Sequence, residues 1–393
     1  MTPKSVRITG WGMYAPQRAL TNVELERVVD TSDEWIVQRT GIRERRIAAP
    51  HETTATLSAI AGKRAIAVAG LKPDDIDVIL VATLTPDYWM PSTGALVKEA
   101  IGNTTAAAMD VMAACSGFVY AYSVADAYIR SGMFKNALVI GAETLSRFLD
   151  YSDRSTCILF GDGAGAVVLS ASDEDGGGMS GLQMTTDPDG AYMIWLPSGG
   201  SRSPASGQTL ARGEHYVRME GKETYRYATK TLASSALTAI GRAGWDPSEI
   251  DLFIPHQANV RIIESVAKGL GLPMSKMFVN VDRYGNTSAA SVPIALAEAV
   301  DTGRIKMGDK VVLVAFGAGL TSGAIALEWT ADPLNGRRAE TVEPAASVRE
   351  PQDWSSVDSI PERLRAILAG GPPVPLDDVV PGEPEPAQRE VPV

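Results

Sequence analysis

Residues 69–83, AGLKPDDIDVILVAT, decide the fold, because residues 243–257, AGWDPSEIDLFIPHQ, repeat their pattern. Each stretch reads as the end of a helix, a glycine, a turn that begins near a proline, and an apolar run. Glycine and proline are typical of the break between two elements, and the apolar run is typical of a buried strand. Asp77 and Asp251 stand at the same place in the two stretches. The repeat predicts two copies of one α/β unit.

Two further pairs of stretches support the duplication, and they follow in the same order in both halves. The pairs are SGMFKNALVIGA (131–142) with TGRIKMGDKVVLVAFGAG (302–319), where Lys135 matches Lys306, and FGDGAGAVVLS (160–170) with FGAGLTSGAIALEW (316–329). The copies are offset by about 155 to 175 residues, which is longer than the repeats of solenoid proteins. Two such units predict two sheets with a cleft where their matching ends meet.

Composition limits the classes of function. The chain has 393 residues, a net charge of −11, 45% apolar and 21% charged residues, which is ordinary for a globular protein. The negative charge argues against a nucleic-acid binder, and no run of eighteen apolar residues indicates a membrane helix. Three histidines without a Cys/His cluster predict no metal site. Two cysteines form no disulfide framework, which predicts a cytoplasmic protein.

The composition changes near residue 330. Residues 331–393 contain eleven prolines, twelve acidic and six basic side chains. Such a segment buries too little apolar surface to offset its ordering entropy, so we expect most of it to be disordered. A capped amphipathic pattern predicts a short helix at 359–370, which either docks on the protein or forms only transiently in the tail.

Cys115 lies in MDVMAACSGF, residues 109–118, between a stretch apolar enough for a buried strand and a stretch with helical periodicity. A thiol near the first turn of a helix faces free backbone N–H groups and the positive end of the dipole, which lowers its pKa. This position suits a nucleophile. The alternative is a buried structural cysteine.

His256 follows the strand-like run DLFIP, and Asn286 is reached by moving Cys115 forward at the spacing that pairs Lys135 with Lys306. Taken singly, His256 fits a core or turn residue and Asn286 a plain turn residue. Taken together, a thiol and two neutral hydrogen-bond donors would meet at matching strand ends, where open α/β sheets place ligands. Such a set suits covalent catalysis with an oxyanion or enolate held by the donors.

Five motifs together resemble the β-ketoacyl-acyl carrier protein synthase III family, condensing enzymes of the thiolase superfamily. The motifs are TSDEWIVQRTGIRERRIA (31–48), AACSGF (113–118), FGDGAGAVVLS (160–170), PHQANVRII (255–263) and YGNTSAAS (284–291). The resemblance covers about Val6 to Trp329. It implies an α/β, duplicated thiolase-like fold layered α-β-α-β-α, with the nucleophile in residues 1–175, the histidine and asparagine in 176–330, and a Pro-rich C-terminal extension.

The resemblance also implies a reaction. Cys115 would take the acyl group of acetyl-coenzyme A, or of a somewhat longer or branched acyl-CoA. His256 and Asn286 would hold the enolate formed when malonyl-acyl carrier protein loses carbon dioxide. The product would be a 3-ketoacyl-acyl carrier protein, at the start of fatty-acid biosynthesis. Backbone N–H groups of Cys115 and of the loop 316–319 would form a second oxyanion hole, in which Ala318 replaces a glycine usual in the family.

The family further implies coenzyme A contacts, a homodimer in the cytoplasm, and no cofactor besides the thioester substrate. The residues that match its coenzyme A contacts are Trp35, Arg39, Arg154, Asn259 and Arg261. A tryptophan face can stack on a purine, and arginine pairs with phosphate through two N–H groups. Without the resemblance, Trp35 and Arg39 are helix residues four apart that can form a cation–π pair.

Four other positions carry predictions of their own. Met90 stands where the family passes a side chain across its dimer interface to the partner's acyl pocket, and its narrow, pliable side chain predicts tolerance of longer primers. Lys222 and Tyr225 depart from the family pattern, and Lys222 either meets a phosphate or an acidic carrier protein, or is solvated. Cys157 is expected to be structural.

There are four alternatives to this function. A polyketide starter-unit enzyme, or another acyl-CoA condensing enzyme of the superfamily, would use the same residues. Hydroxymethylglutaryl-CoA synthesis would need an acid beside Cys115, which VMAACSGF does not supply. A non-catalytic partner subunit would tend to lose the nucleophile. A papain-like hydrolase would need a glutamine and a tryptophan beside the cysteine and no duplication.

Overall fold

The computed structural model describes residues 5–174, 176–331 and 361–369. The strands are β1 (Ser5–Tyr14), β2 (Ala19–Thr21), β3 (Glu44–Arg46), β4 (Val78–Ala82), β5 (Ala107–Val111), β6 (Asn136–Thr144), β7 (Asp162–Ser172), β8 (Gly178–Thr186), β9 (Ile194–Trp195), β10 (Arg218–Met219), β11 (Leu252–Pro255), β12 (Lys310–Gly317) and β13 (Thr321–Glu328).

The α-helices are α1 (Asn22–Leu25), α2 (Asp33–Thr40), α3 (Thr54–Ala69), α4 (Thr93–Ile101), α5 (Gly117–Arg130), α6 (Arg154–Cys157), α7 (Gly207–Ala211), α8 (Gly221–Arg242), α9 (Val260–Leu270), α10 (Val281–Tyr284), α11 (Ser291–Asp301) and α12 (Glu362–Leu368). Within the described ranges, no helix has the length and hydropathy that crossing a membrane requires.

Two sheets share the order and direction of four strands, and the first sheet has β5 as a fifth strand. The first has the strand order β5-β4-β6-β7-β1, and the second has the order β11-β12-β13-β8. β4 pairs with β6 in parallel, as β11 does with β12. β7 and β13 run antiparallel to both of their neighbours. The repeated order and direction confirm the predicted duplication of an α/β unit.

Helices separate and cover the two sheets. α5 and α11 lie between them. Phe118 of α5 and Leu296 of α11 share one apolar core with residues of both sheets, such as Val139 and Leu313. α3 and α4 pack on the outer face of the first sheet, and α8 and α9 on that of the second. The layers α-β-α-β-α agree with the fold that the resemblance implied. β5 differs from the prediction of a buried strand, because it is the edge strand of its sheet and is partly exposed.

The two copies are offset by 174 residues at the starts of β6 and β12, and the pairing of Lys135 with Lys306 is therefore wrong. β6 begins at Asn136 and β12 at Lys310, which are 174 apart. The backbone N–H of each of these residues donates to the matching aspartate of its own half, at 2.9 Å in both cases. The N–H of Lys135 also donates to Asp77, at 2.8 Å, whereas the N–H of Lys306 donates to Asp309. The contact that both halves share is therefore made at the start of the strand.

The offset of 174 residues changes which residue of the second half corresponds to Cys115. Ala114 and Ser288, 174 residues apart, both have a left-handed φ of 48°. Each begins a 3-10 turn that leads into α5 or α11. Cys115 therefore corresponds to Ala289, and Asn286, which the spacing between Lys135 and Lys306 had matched to Cys115, lies three residues before that position.

Helix α12 is docked on the protein. It falls within the helix predicted at 359–370 and buries Leu364 and Ile367 in an apolar cluster around α1, α2 and α6. Arg363 Nη1 donates to the carbonyl oxygen of Val28 at 2.7 Å. Of the two alternatives for this helix, the structure has the docked one. The disorder predicted for the rest of the tail lies outside the described residues.

Candidate active site

Cys115, His256 and Asn286 line one cavity of about 380 Å³, although they come from three separate parts of the chain. The rest of the lining is mainly apolar and includes Leu145, Phe148, Ile194, Leu196, Val217 and Phe316. Among residues 5–174, 176–331 and 361–369, no group of three or more His, Cys, Asp or Glu side chains is arranged to hold a metal ion. The site is an apolar pocket with three convergent polar groups, the usual form of a small-molecule site.

Cys115 lies in the 3-10 turn just before α5, and its side chain is buried, with 9% exposed. Burial raises the pKa of its thiol to about 12. A hydrogen bond with Ser288 and one from its own backbone N–H lower the pKa, and the charge of Glu143 raises it. The expectation of a lowered pKa is wrong for the resting protein, because desolvation outweighs the N–H groups at the helix start.

The loop after β12 lies against this turn. A Cβ built on Gly317 would lie 2.5 Å from the backbone nitrogen of Cys115, so only a glycine allows this approach. Thr321 Oγ1 donates to the carbonyl oxygen of Ala113 at 2.8 Å, which ties the loop to the turn from its other side. Ala318, between these two contacts, lines the cavity.

His256 is fixed in orientation and is neutral. Its backbone N–H donates to the carbonyl oxygen of Val314, and its Nδ1 lies 2.6 Å from Ser291 Oγ. Ser291 Oγ accepts the N–H of Gln257 at 3.4 Å, so its hydroxyl proton is free to donate to Nδ1. The ring then carries its own proton on Nε2. Burial lowers the pKa of His256 to about 3, which keeps the imidazole uncharged at neutral pH.

Asn286 is held on both its backbone and its side chain. Its N–H donates to the carbonyl oxygen of Leu159 at 2.8 Å, and its carbonyl oxygen accepts the N–H of Gly161 at 3.0 Å. Its Oδ1 accepts the backbone N–H of Ser288 at 2.9 Å. This bond orients the carboxamide and leaves Nδ2 to donate.

The predicted coenzyme A residues divide into two groups. Arg39 and Arg154 lie over the ring of Trp35, with their guanidinium carbons 5.6 and 5.1 Å from its centroid. Arg154 also donates to the carbonyl oxygen of Asp30 at 3.0 Å. Both arginines are exposed, and none of these three residues lines the cavity.

Asn259 joins this cluster to the cavity, which it lines. Its Nδ2 donates to the carbonyl oxygen of Arg39 at 3.2 Å, and its Oδ1 caps α9 by accepting the N–H of Arg261 at 2.8 Å. Arg261 is exposed and does not itself line the cavity. Of the eight predicted site residues, four line the cavity (Cys115, His256, Asn286 and Asn259) and four do not (Trp35, Arg39, Arg154 and Arg261).

The structure also places the four other residues for which the sequence made predictions. Tyr225 lines the cavity, whereas Lys222 is exposed beside the lining residue Gly221. Met90 does not line the cavity of its own chain and is 84% exposed. Cys157 is fully buried, as expected of a structural cysteine.

Three residues of the site were missed. Ser288 and Ser291 stand three apart in TSAAS and hold Asn286 and His256. Glu143 ends the apolar run NALVIGAE and is fully buried. A carboxylate at the end of an otherwise apolar run was a usable signal, since such a group is buried only when it has partners.

Two family models and proteins of known sequence match this chain. The model of the family "3-Oxoacyl-[acyl-carrier-protein (ACP)] synthase III" matches residues 109–188, and the model of its C-terminal part matches 240–329. The "Beta-ketoacyl-[acyl-carrier-protein] synthase III" of Roseiflexus sp. (strain RS-1) is 51% identical over 324 residues, which are 82% of this chain and 98% of the relative. The protein of the same name from Symbiobacterium thermophilum is 51% identical over 329 residues, covering 84% and 99%.

A solved structure agrees in fold. The 3-oxoacyl-[acyl-carrier-protein] synthase III of Aquifex aeolicus VF5 is 45% identical, with a TM-score of 0.77. The match covers 83% of this chain and 100% of that chain. The duplicated layers, the shared cavity and these identities lead to one conclusion: the chain belongs to the β-ketoacyl-[acyl-carrier-protein] synthase III family of condensing acyltransferases.

Proposed function

We propose that this chain condenses an acyl-coenzyme A primer with malonyl-acyl carrier protein, and so initiates fatty-acid biosynthesis. The products are a 3-ketoacyl-acyl carrier protein, coenzyme A and carbon dioxide. The observation that carries the proposal is the convergence of Cys115, His256 and Asn286 on one mainly apolar cavity. We assign the nucleophile to the half at 1–175 and the two donors to the half at 176–330.

In the first half-reaction, Cys115 attacks the thioester carbonyl and coenzyme A leaves. The tetrahedral oxyanion needs preorganised donors, and the backbone N–H groups of Cys115 and of the Gly317–Ala318 loop are the candidates. The close approach of Gly317 to Cys115 supports this role. Substituting alanine for the family's glycine at 318 leaves a backbone donor in place.

In the second half-reaction, loss of carbon dioxide from the malonyl group leaves an enolate, whose carbon attacks the acyl group on Cys115. His256 donates through Nε2 and Asn286 through Nδ2 to the enolate oxygen. Both donors are neutral and already fixed by Ser291 and Ser288, so they require little reorganisation when the negative charge develops. Decarboxylation generates the nucleophile without a strong base.

The stack of Arg39, Trp35 and Arg154 suits the nucleotide end of coenzyme A. The indole offers a face for the adenine, and the exposed guanidinium groups suit phosphate. Asn259 and Arg261 then follow the pantetheine arm toward Cys115. Lys222, exposed beside the cavity, adds positive charge for a phosphate or for an acidic carrier protein.

We further propose that the chain acts as a cytoplasmic homodimer. The edge strand β5 and the exposed apolar side chains of Trp89, Met90 and Met112 form a surface that a second copy would cover. Met90 would then reach the partner's acyl pocket. No further cofactor is part of this proposal.

The alternatives have less support. The relatives at 51% identity bear the synthase III name, which does not favour polyketide priming. A non-catalytic partner subunit fits poorly with a chain in which Cys115, His256 and Asn286 are all present in one cavity.

Intact-protein mass spectrometry after brief incubation with a panel of acyl-coenzyme A thioesters tests the proposal. We expect a mass gain of one acyl group in the wild type and in Cys157→Ala, and none in Cys115→Ala. Adding malonyl-acyl carrier protein should then discharge the acyl-enzyme and give the 3-ketoacyl product. A gain that persists in Cys115→Ala, or no gain with any thioester, would contradict the assignment.

A further inference from the structure

Glu143 is a fully buried carboxylate at the end of β6, and the mechanism above does not use it. Four donors from the segment after β4 surround it. They are the backbone N–H groups of Leu84 (3.0 Å) and Thr85 (3.1 Å) and the hydroxyls of Thr83 (3.2 Å) and Thr85 (2.6 Å). Such a set of donors stabilises the anion in a site that is otherwise closed to water.

The fifth donor comes from the other half of the molecule. Ser288 Oγ lies 3.1 Å from Glu143 Oε1. The 3-10 turn that carries Ser288 packs against the turn that carries Cys115, and both residues line the cavity. The Ser288 side chain lowers the pKa of the Cys115 thiol. Ser288 is held in the left-handed region, with a φ of 48°, and its own N–H donates to Asn286. It therefore lies between the buried carboxylate and the thiol, and its position is fixed from the backbone.

A serine hydroxyl has one proton, so Ser288 can donate to only one of the two groups at a time. If Glu143 carries the charge, the proton points to the carboxylate and the Ser288 oxygen accepts the S–H of Cys115. If Cys115 carries the charge, the proton points to sulfur and Glu143 is protonated. With both groups ionised, only one of the two anions could receive the Ser288 proton, and the two buried charges would repel each other.

We propose that Glu143 is the proton acceptor for the Cys115 thiol, which it reaches through the Ser288 hydroxyl. The inference rests on the proposed role of Cys115 as nucleophile. As the sulfur attacks the thioester carbon, its proton passes to Ser288 Oγ and the proton of Ser288 passes to Glu143 Oε1. The bond between the Cys115 sulfur and the acyl carbon forms, and the bond between that carbon and the coenzyme A sulfur breaks. The coenzyme A sulfur then takes a proton from Ser288 Oγ, and Glu143 returns its proton to Ser288.

Other acceptors suit this step less well. Burial lowers the pKa of His256 to about 3, and its Nδ1 is bound to Ser291, so the imidazole is a weak base. Burial raises the pKa of Glu143 to about 7, opposed by its donors, which brings this carboxylate closer to a thiol in basicity. The groups that face it are Thr83, Leu84 and Thr85 after β4, Ser288 before α11, and Cys115, the titratable group that its charge affects.

The test is the pH dependence of the alkylation rate of Cys115 by iodoacetamide between pH 5.5 and 8.5, followed by peptide mass spectrometry. When two groups share one charge, the reactive form increases only until the acceptor is deprotonated. We expect the wild-type rate to rise about tenfold per pH unit below about 7, and by less than about fivefold from 7 to 8.5. In Glu143→Gln the alkylation rate should rise about tenfold per pH unit over the whole range from 5.5 to 8.5.

Asp162→Asn is the matched control, because Asp162 is also fully buried with a raised pKa of about 6, but hydrogen-bonds with Ser146 and Ala48 away from the thiol. It should keep the change of slope near pH 7. Ser288→Ala removes the bridging hydroxyl but keeps the carboxylate, and its rate should show no change of slope near pH 7. This variant replaces Glu143→Gln in the test if Glu143→Gln does not fold.

A wild-type rate that rises steadily through pH 7 would overturn the proposal, and so would a change of slope that persists in both Glu143→Gln and Ser288→Ala. The assay needs no acyl-coenzyme A. Failure of acyl transfer in the mass-spectrometry experiment would therefore count against the proposed function and not against the coupling of the two groups.

Discussion

The buried neutral imidazole of His256 gives a sharp prediction about stability in acid. In the folded chain its pKa is about 3, whereas in the unfolded chain it returns to its ordinary value of 6.5. Between these values the unfolded state binds a proton that the folded state does not, so folding free energy is lost as the pH falls below 6.5. One proton corresponds to about 1.4 kcal/mol per pH unit. At pH 4.5, relative to pH 7.5, this one side chain should therefore cost about 3 kcal/mol of folding free energy.

The assay is equilibrium urea unfolding at pH 7.5, 6.5, 5.5 and 4.5, for the wild type and for His256→Gln. Other titrating groups are common to both proteins, so the difference between their free energies of unfolding isolates His256. We expect this difference to be constant above pH 6.5 and to shift by about 3 kcal/mol against the wild type by pH 4.5. Parallel curves down to pH 4.5 would refute the neutral, buried imidazole on which its donor role depends.

Four further substitutions have distinct expected results. Ser291→Ala removes the group that fixes His256 Nδ1, and steady-state kinetics should show kcat reduced about tenfold with KM for acyl-coenzyme A unchanged. Trp35→Ala removes the proposed stacking face, and the same assay should show the reverse, with KM raised about tenfold and kcat unchanged. Gly317→Ala places a Cβ 2.5 Å from the nitrogen of Cys115, so mass spectrometry should detect little acyl-enzyme while the fold persists by circular dichroism. Leu364→Ala leaves a cavity under α12 worth about 2 kcal/mol or more, and limited proteolysis should cut this helix faster than in the wild type; equal rates would contradict the docking.

The sequence predicted the duplicated α/β architecture well, because the signals for it are local. Apolar runs, glycines after helices and prolines at turns are set by neighbours along the chain, and they repeat between 69–83 and 243–257. The helix at 359–370 was predicted for the same reason. Its docking was left open, because the apolar face that receives Leu364 is assembled from residues such as Leu25 and Val281, far away in the sequence.

The errors concern features that only the assembled fold determines. The register between the halves was anchored on Lys135 and Lys306, which lie in loops, whereas the equivalent contacts are made at the first residues of β6 and β12. The pKa of Cys115 was judged from the helix start alone. Its value depends on burial by the loop around Gly317 and on the charge of Glu143, and neither is visible in the local sequence.

Only part of the candidate site could be predicted from the sequence, for a related reason. Cys115, His256 and Asn286 carry chemistry that a motif can indicate, and the resemblance added the residues that are proposed to contact coenzyme A. Ser288 and Ser291 act by orienting other side chains, which requires knowledge of distances. Small hydroxyl residues in a sequence such as TSAAS give no sign of which atoms they will contact.

The contact between Glu143 and Ser288 also constrains how this gene can recombine with those of its relatives. The carboxylate is encoded before residue 175 and the hydroxyl after it, and their oxygens lie 3.1 Å apart across the junction of the two halves. A crossover near 175 would therefore exchange Cys115 together with the carboxylate, while Ser288, His256 and Asn286 would come from the other parent. Chimaeric enzymes should keep an ordered active site only when both parents supply side chains that match at positions 143 and 288.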